Sequence, residues 1–179
     1  METELKISSQ KSSKTRELVL SALLISLVFV ATKFINIRLP ISINGGLIHL
    51  GNAMLFLIAI VFGKRKGAIA GAFGMGLFDI VSGWTAWAPF TFVIRGVMGY
   101  IIGSMAYSKN RNGNNIIWNI TAILISGCWM IVGYYMTEGL LYGNWIAPAT
   151  SIPGNIIQIV IGAIIGLPLA KALKRTKLV

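Results

Sequence analysis

The chain has 179 residues, of which 55% are hydrophobic and only 12% are charged, with a mean hydropathy of +0.76 and a formal net charge of +11. A soluble domain carries about 25% charged residues, so the composition excludes an ordinary soluble globule and puts the chain in the membrane class. The excess of Lys and Arg does not point to nucleic acid, because the basic residues recur between apolar runs instead of forming one patch.

Met1 to Thr15 is polar and is expected to fray as a short cytoplasmic segment ahead of a membrane domain over residues 16–173, with 174–179 as a basic cytoplasmic tail. A membrane-spanning helix needs about 20 mostly apolar residues. The first such run is Glu17–Asn36, which no small-residue cleavage site follows. A connection with Pro40, Asn44, Gly45 and Gly46 leads to the second run, Leu47–Gly63. The basic turn Lys64-Arg-Lys66 precedes the third, Gly67–Trp84, and Ala86-Trp-Ala-Pro89 marks the passage to the fourth, Ala88–Tyr107. Lys109 to Asn115 separates this from the fifth, Ile116–Glu138, and Tyr142 to Pro153 from the sixth, Ser151–Leu173. None of the runs alternates as a membrane strand would. The expected fold class is therefore all-α, an integral membrane bundle of six transmembrane helices. An even number of spans puts both termini on one side, and that side collects Lys64, Arg65, Lys66, Lys109, Arg111 and the Lys and Arg of both ends, while Lys33 and Arg38 fall on the other. The preference of Lys and Arg for cytoplasmic loops makes the basic side, and both termini, cytoplasmic.

This topology gives each polar residue a depth. His49 and Asn52 start the second run at the outer side, Asp79 lies one turn below the outer end of the third, and Arg95 two turns into the fourth. Glu138 ends the fifth, and Asn155 and Gln158 open the sixth. Helical spacing aligns Arg95 with Gly99 and Gly103, Asp79 with Ala68 and Ala72, Gln158 with Gly162 and Gly166, and Glu138 with Tyr134 and Gly127. Small residues mark faces where membrane helices approach closely, so these polar groups are expected to face the bundle interior. As helix glue they have no reason to gather on one side, whereas an outward-opening pocket gives them one, and ionisable residues within spans mark functional sites. Arg95 is expected either to pair with Asp79 or to orient a ligand. Trp84 and Trp87 are candidates for stacking on a flat ring, with the interfacial aromatic belt as the plain alternative for them and for Tyr142 and Trp145; of Tyr134 and Tyr135, one is expected to face the pocket. On the first helix Ala22 and Ser26 form a small-xxx-small pair suited to close contact with another helix, within this chain or outside it.

Several classes of chemistry are not encoded. There is no P-loop, no HExxH and no nucleophile elbow, and one His with one Cys, Cys128, does not make a metal centre, so no cofactor is expected. Asn119-Ile-Thr121 matches a glycosylation acceptor but falls within a span.

The run Ile48-His-Leu-Gly-Asn52, then Gly63 to Gly71, Gly74 and Asp79, Ala88-Pro-Phe-Thr91, and Pro153-Gly-Asn-Ile-Ile-Gln158 resembles the substrate-binding S component of energy-coupling factor (ECF) vitamin transporters, in the riboflavin-type branch that includes hydroxymethylpyrimidine and pyridoxine proteins. The resemblance covers about Arg16 to Leu173. It implies capture of one vitamin or precursor at the extracellular face of a prokaryotic cell membrane, without enzymatic activity of its own. It also implies assembly with a coupling membrane subunit and two ATPases, and transport by toppling in the bilayer. In that family an Ala-xxx-Ala stripe on the first helix docks the coupling subunit; here Ser26 takes the second position after Ala22. The resemblance further implies a gating role for the first loop, with Asn44, Gly45 and Gly46, and a substrate site including His49, Asn52, Asp79, Trp84, Trp87, Arg95, Tyr134, Glu138, Asn155 and Gln158. Hydroxymethylpyrimidine or pyridoxine is the favoured ligand, riboflavin or another vitamin the alternative. A stand-alone ion-coupled carrier and a small membrane enzyme are the alternatives of other classes.

Overall fold

A computed structural model describes residues 2–38 and 47–176, with side chains over 14–36 and 48–176. Five α-helices are present: α1 (Glu2–Phe34), α2 (Gly51–Val81), α3 (Ala88–Tyr107), α4 (Ile116–Tyr142) and α5 (Ile152–Arg175). Four helical stretches are long and apolar enough to cross a membrane, namely Lys14–Phe34, Ala88–Asn110, Ile116–Tyr142 and Ala147–Arg175.

The count differs from the expected six because α2 joins the second and third apolar runs. The join is not straight. Gly63 has φ 83° and ψ −176°, a conformation that only glycine adopts readily. In a straight helix Ala59 and Gly67 would be about 12 Å apart along the axis, yet a Cβ on Gly67 would stand 2.6 Å from that of Ala59. The chain therefore reverses at Gly63, and α2 is a hairpin of two arms. The first arm is apolar all round, and Leu55, Phe56, Ile58 and Ala59 have no exposed surface. A helix with no polar face belongs at the centre of a bundle, and this arm is the core around which the others pack.

Two further features depart from expectation. Helix α1 begins at Glu2 instead of fraying through Thr15; Glu, Leu, Lys and Gln in that segment are good helix formers. A two-stranded antiparallel ribbon, β1 (Asn36–Arg38) and β2 (Leu47–His49), interrupts the all-helical pattern, pairing Asn36 with His49, Ile37 with Ile48 and Arg38 with Leu47. The first loop, with Asn44, Gly45 and Gly46, lies outside the described residues, but the ribbon brings its two ends together.

Helix α2 packs on α1, α3 and α5, and α4 closes the ring between α3 and α5. Lipid tails are as apolar as Leu, so such contacts depend on close fit more than on exclusion of water. Glycine provides the fit. A Cβ on Gly99 would lie 2.3 Å from the Gly67 carbonyl carbon, one on Gly103 2.3 Å from the Lys64 nitrogen, and one on Gly71 2.7 Å from the Arg95 carbonyl oxygen. A Cβ on Gly74 would stand 2.7 Å from the Val28 Cβ of α1, and one on Gly166 of α5 2.7 Å from the Ala53 carbonyl oxygen. Of the small-residue stripes read from the sequence, Gly99 and Gly103 on α3 and Gly166 on α5 lie in these seams; Gly67, Gly71 and Gly74 belonged to none of them.

The two ends of the bundle differ. At one, Lys66 Nζ lies 2.7 Å from Glu17 Oε2, Lys174 donates to the Asn112 carbonyl, and Gly113 sits against the Ile60 carbonyl. The basic turn, the α3–α4 connection and the end of α5 thus meet. At the other, the ribbon, the α2–α3 turn and the 3-10 turn Ala147–Ser151 surround an opening.

Candidate functional site

Arg95 is the centre of the opposite end. It stands on α3 one turn beyond Thr91, on the face that Gly99 and Gly103 press against α2, so its guanidinium is directed across the bundle. Nε donates to the Tyr134 hydroxyl of α4 at 3.0 Å, and Nη2 to Gln158 Oε1 of α5 at 3.0 Å. Nη1 donates to Asn52 Oδ1 of α2 and lies 3.1 Å from Met130 Sδ. The guanidinium carbon stands 5.1 Å from the centre of the Tyr134 ring. One side chain, 3% exposed, therefore ties four helices together.

All these acceptors are neutral. Among the described residues Arg95 makes no ion pair, so of the two roles expected for it, pairing with Asp79 or orienting a ligand, the pairing is not seen. The reason is a difference of one helical turn. Asp79 comes to the cleft wall beside Thr91, while Arg95 stands one turn further along α3, where Asn52, Tyr134 and Gln158 take its donors. Thr91 shares a hydrogen bond of 3.2 Å with the Tyr134 hydroxyl, which also accepts from Arg95 Nε. An isolated buried charge is costly; here the desolvated cation is solvated by side-chain dipoles. Nη2 has two N–H groups and one acceptor, so one donor remains directed at the space beside it.

That space is a cleft of about 110 Å³, open at the ribbon end. His49, Phe78 and Asp79 line the wall from β2 and α2; Trp84, Trp87, Thr91 and Arg95 that from the α2–α3 turn and α3. Tyr134 and Glu138 of α4 face Ser151, Gly154, Asn155 and Gln158 at the start of α5. Glu138 is buried, and its Oε2 accepts from the Ser151 hydroxyl at 2.8 Å. Trp87 stands with its ring centre 6.3 Å from that of Tyr134 and 6.1 Å from that of Tyr142, tilted against both. His49 is buried, and its Nδ1 accepts from the Gly51 amide at 3.2 Å.

The residues singled out in the sequence thus meet in one place, with specific differences. Asn52 stands behind the wall as the partner of Arg95. Tyr134, not Tyr135, faces the cleft; the Tyr135 hydroxyl donates to the Trp145 carbonyl at 2.6 Å, outside it. Phe78, Thr91, Ser151 and Gly154 were not foreseen. Thr91 carried a readable signal, since it precedes Arg95 by four residues on the same face. Ser151 carried none, because it lies in an irregular turn. Ala22 and Ser26 are far from the cleft, exposed on the outer face of α1, where the Ser26 hydroxyl returns to the Ala22 carbonyl at 2.9 Å.

The arrangement can bind but offers little for catalysis. It presents donors, two carboxylate acceptors and aromatic faces around one opening, the usual make-up of a small-molecule site.

Comparison with known proteins agrees. A solved chain described as "Structure and mechanism of the S component of a bacterial ECF transporter" superposes with a TM-score of 0.69 at 20% identity, over 93% of this chain and 99% of that one, which shows the shared fold. The thiamine precursor transporter HmpT of Lactococcus lactis subsp. cremoris (strain MG1363) is 28% identical over 172 residues, 96% of this chain and 95% of its own. An uncharacterized protein of Pyrococcus woesei, in gap 3′ region, is 34% identical over 139 residues, 78% of this chain and 90% of its own. Residues 12–175 match the family described as ECF-type riboflavin transporter, S component, and the chain belongs to that family of membrane transport subunits.

Proposed function

We propose that this S component captures hydroxymethylpyrimidine or a similarly small hydroxylated heteroaromatic, pyridoxine included, from the outer face of a prokaryotic plasma membrane. The observation that carries the reading is the convergence of Asp79, Arg95 and Glu138 on one cleft beside Trp87 and Tyr134. A ring with amino and hydroxymethyl substituents offers N–H and O–H donors to the carboxylates of Asp79 and Glu138, a ring nitrogen or oxygen to the free Arg95 donor, and a flat face to Trp84 or Trp87. His49, Asn155 and Gln158 complete the polar wall, and Asn52 acts through Arg95. Polar groups surround the cleft on every side, which favours a small polar ring over a flavin with its dimethylbenzene edge. The name of the L. lactis relative supports a thiamine precursor; riboflavin is the second reading, favoured by the family's description.

The rest follows from the same reading. The two arms of α2 both enter the bilayer, which gives six segments and cytoplasmic termini at the basic end. The loop between β1 and β2, with Asn44, Gly45 and Gly46, acts as the gate, because the ribbon anchors its ends next to His49. The exposed Ala22–Ser26 face of α1 receives a coupling membrane subunit, and ATP is hydrolysed by two partner ATPases, not by this chain.

Titration of purified protein with hydroxymethylpyrimidine, pyridoxine, thiamine and riboflavin, followed by quenching of tryptophan fluorescence, tests the reading. Hydroxymethylpyrimidine or pyridoxine is expected to saturate the signal, and Asp79→Asn and Glu138→Gln to weaken binding about 10-fold or more each, as for hydrogen bonds to charged groups, without unfolding the protein. Saturation by riboflavin alone would overturn the ligand. No binding across the panel, with no small molecule retained on the purified protein by mass spectrometry, would overturn the capture role.

A further inference from the structure

We propose that the basic end of the bundle holds a specific site for an anionic phospholipid whose headgroup carries hydroxyls, the chemistry of phosphatidylglycerol. A second cavity, of about 270 Å³, opens between the α3–α4 connection and the last two turns of α5. Lys171, Lys174 and Arg175 line one wall, and Gly113, Asn114 and Asn119 the other. Lys174 donates one N–H to the Asn112 carbonyl and keeps two, and Lys171 and Arg175 are exposed. The first turn of α4, which adds Ile116 to the lining, brings the positive end of a 27-residue helix to the same place. Three cations and a helix start make the cavity a receptor for a phosphate.

Asn119 narrows the ligand. It is 5% exposed, and its Nδ2 donates to the Gly113 carbonyl at 2.8 Å, which fixes the amide so that Oδ1 faces away from that carbonyl. Oδ1 is buried and has no hydrogen-bond partner among the described residues. An unmatched buried acceptor costs free energy, and Asn119 lines the cavity, so a headgroup donor seated against it would remove that cost. A fully ionised phosphate has only acceptors to offer, whereas the glycerol headgroup of phosphatidylglycerol supplies both the phosphate for the cations and a hydroxyl for Asn119. The flanks suit a lipid. Ile116 and Ile117 at the start of α4 are 46% and 70% exposed, and Leu169 on α5 is 42% exposed, so apolar surface continues from the cavity along both helices, where acyl chains would lie. Basic pockets between membrane helices on the cytoplasmic side recognise anionic headgroups in this way.

Native mass spectrometry of the full chain in detergent, with equimolar phosphatidylglycerol, phosphatidylmethanol and phosphatidylcholine added, tests the site. Phosphatidylmethanol has the same charge without the glycerol hydroxyls. The wild type is expected to retain phosphatidylglycerol over both, and Lys171→Gln/Arg175→Gln to lose about 30-fold of that retention, two surface cations' worth, with ligand binding in the first cleft unchanged. Asn119→Ala is expected to remove the preference over phosphatidylmethanol only. Equal retention of phosphatidylglycerol and phosphatidylcholine, or an unaffected double variant, overturns the site. Equal retention of phosphatidylmethanol by the wild type overturns the role of Asn119 whether or not its variant folds. Displacement of the lipid by an equimolar amount of glycerol 3-phosphate would mean a soluble phosphate ligand and overturn the lipid assignment.

Discussion

The second arm of α2 and helix α3 run side by side, yet their two ends behave differently. Toward the basic end they touch backbone to backbone, at Gly67 with Gly99 and at Lys64 with Gly103. Toward the other end the facing residues become Gly76 with Phe92, where a Cβ would meet the ring at an ordinary 3.4 Å, and then Asp79 with Thr91. Removing side chains from a seam lets two helices seal, and returning them, in the form of Phe92, Thr91 and Asp79, leaves room for a cleft. The difference teaches that the site is not an accident of loops. It is where the glycine pattern stops.

The sealed end is the more sensitive. Gly99→Leu would drive a side chain into the Gly67 backbone, where even a Cβ stands 2.3 Å from the carbonyl carbon. Overpacking a core costs about 1–3 kcal/mol when side chains can yield, and a facing backbone yields less, so destabilisation above about 3 kcal/mol is expected. Loss of the monodisperse peak on mild heating, well below the wild-type transition, is the measurement. A variant as heat-stable as the wild type would mean that the two helices separate freely and that the glycine seam does not set the cleft.

At the open end the largest effect is expected for Arg95→Lys. The charge stays, but an ammonium cannot reproduce a planar fork that reaches Asn52, Tyr134 and Gln158 while keeping a donor for the cleft. Hydrogen bonds to charged groups contribute about 1.5–3 kcal/mol, so ligand affinity should fall about 10- to 100-fold while the protein remains folded. Unchanged affinity with a lowered melting temperature would make Arg95 a tie between helices and nothing more.

The same contrast explains what could be read from the sequence. Apolar runs and their breaks made the order of the helices legible, and Gly99, Gly103 and Gly166 at helical spacing marked seams, because both signals are periodic and local. The reversal at Gly63 was visible as Gly63-Lys-Arg-Lys-Gly67. That the reversal takes only Gly63 itself, with helix on both sides of it, was not, since this depends on the φ and ψ of one residue. Three-residue strands flanking a loop leave too short a pattern to detect. A pairing of Arg95 with Asp79 was one of two roles open for Arg95 because depth along a helix is readable, whereas the rotation and offset of neighbouring helices, which give Arg95 to Asn52, Tyr134 and Gln158, are not. Asn119, set aside as a chance acceptor motif, is buried for a reason that appears only when Gly113 and α5 come to it.

The smallest effect should come from Ser151, at the edge of the open end and on no periodic element. Its hydroxyl donates to Glu138 Oε2 at 2.8 Å, which fixes the carboxylate in the wall of the cleft. Ser151→Ala removes a donor to a buried acceptor but no charge, and the turn Ala147–Ser151 keeps its backbone bond from the Ala149 amide to the Ile146 carbonyl. A single hydrogen bond of this kind contributes about 0.5–1.5 kcal/mol, so ligand affinity should drop about 2- to 10-fold with little change in melting temperature. The informative comparison is with Glu138→Gln. If Ser151 acts by holding the carboxylate, its removal in the Glu138→Gln background should cost less than in the wild type, as coupled neighbours do. Full additivity would mean that Ser151 meets the ligand directly, and that the open end recognises its ligand with a turn residue as well as with the helices that frame it.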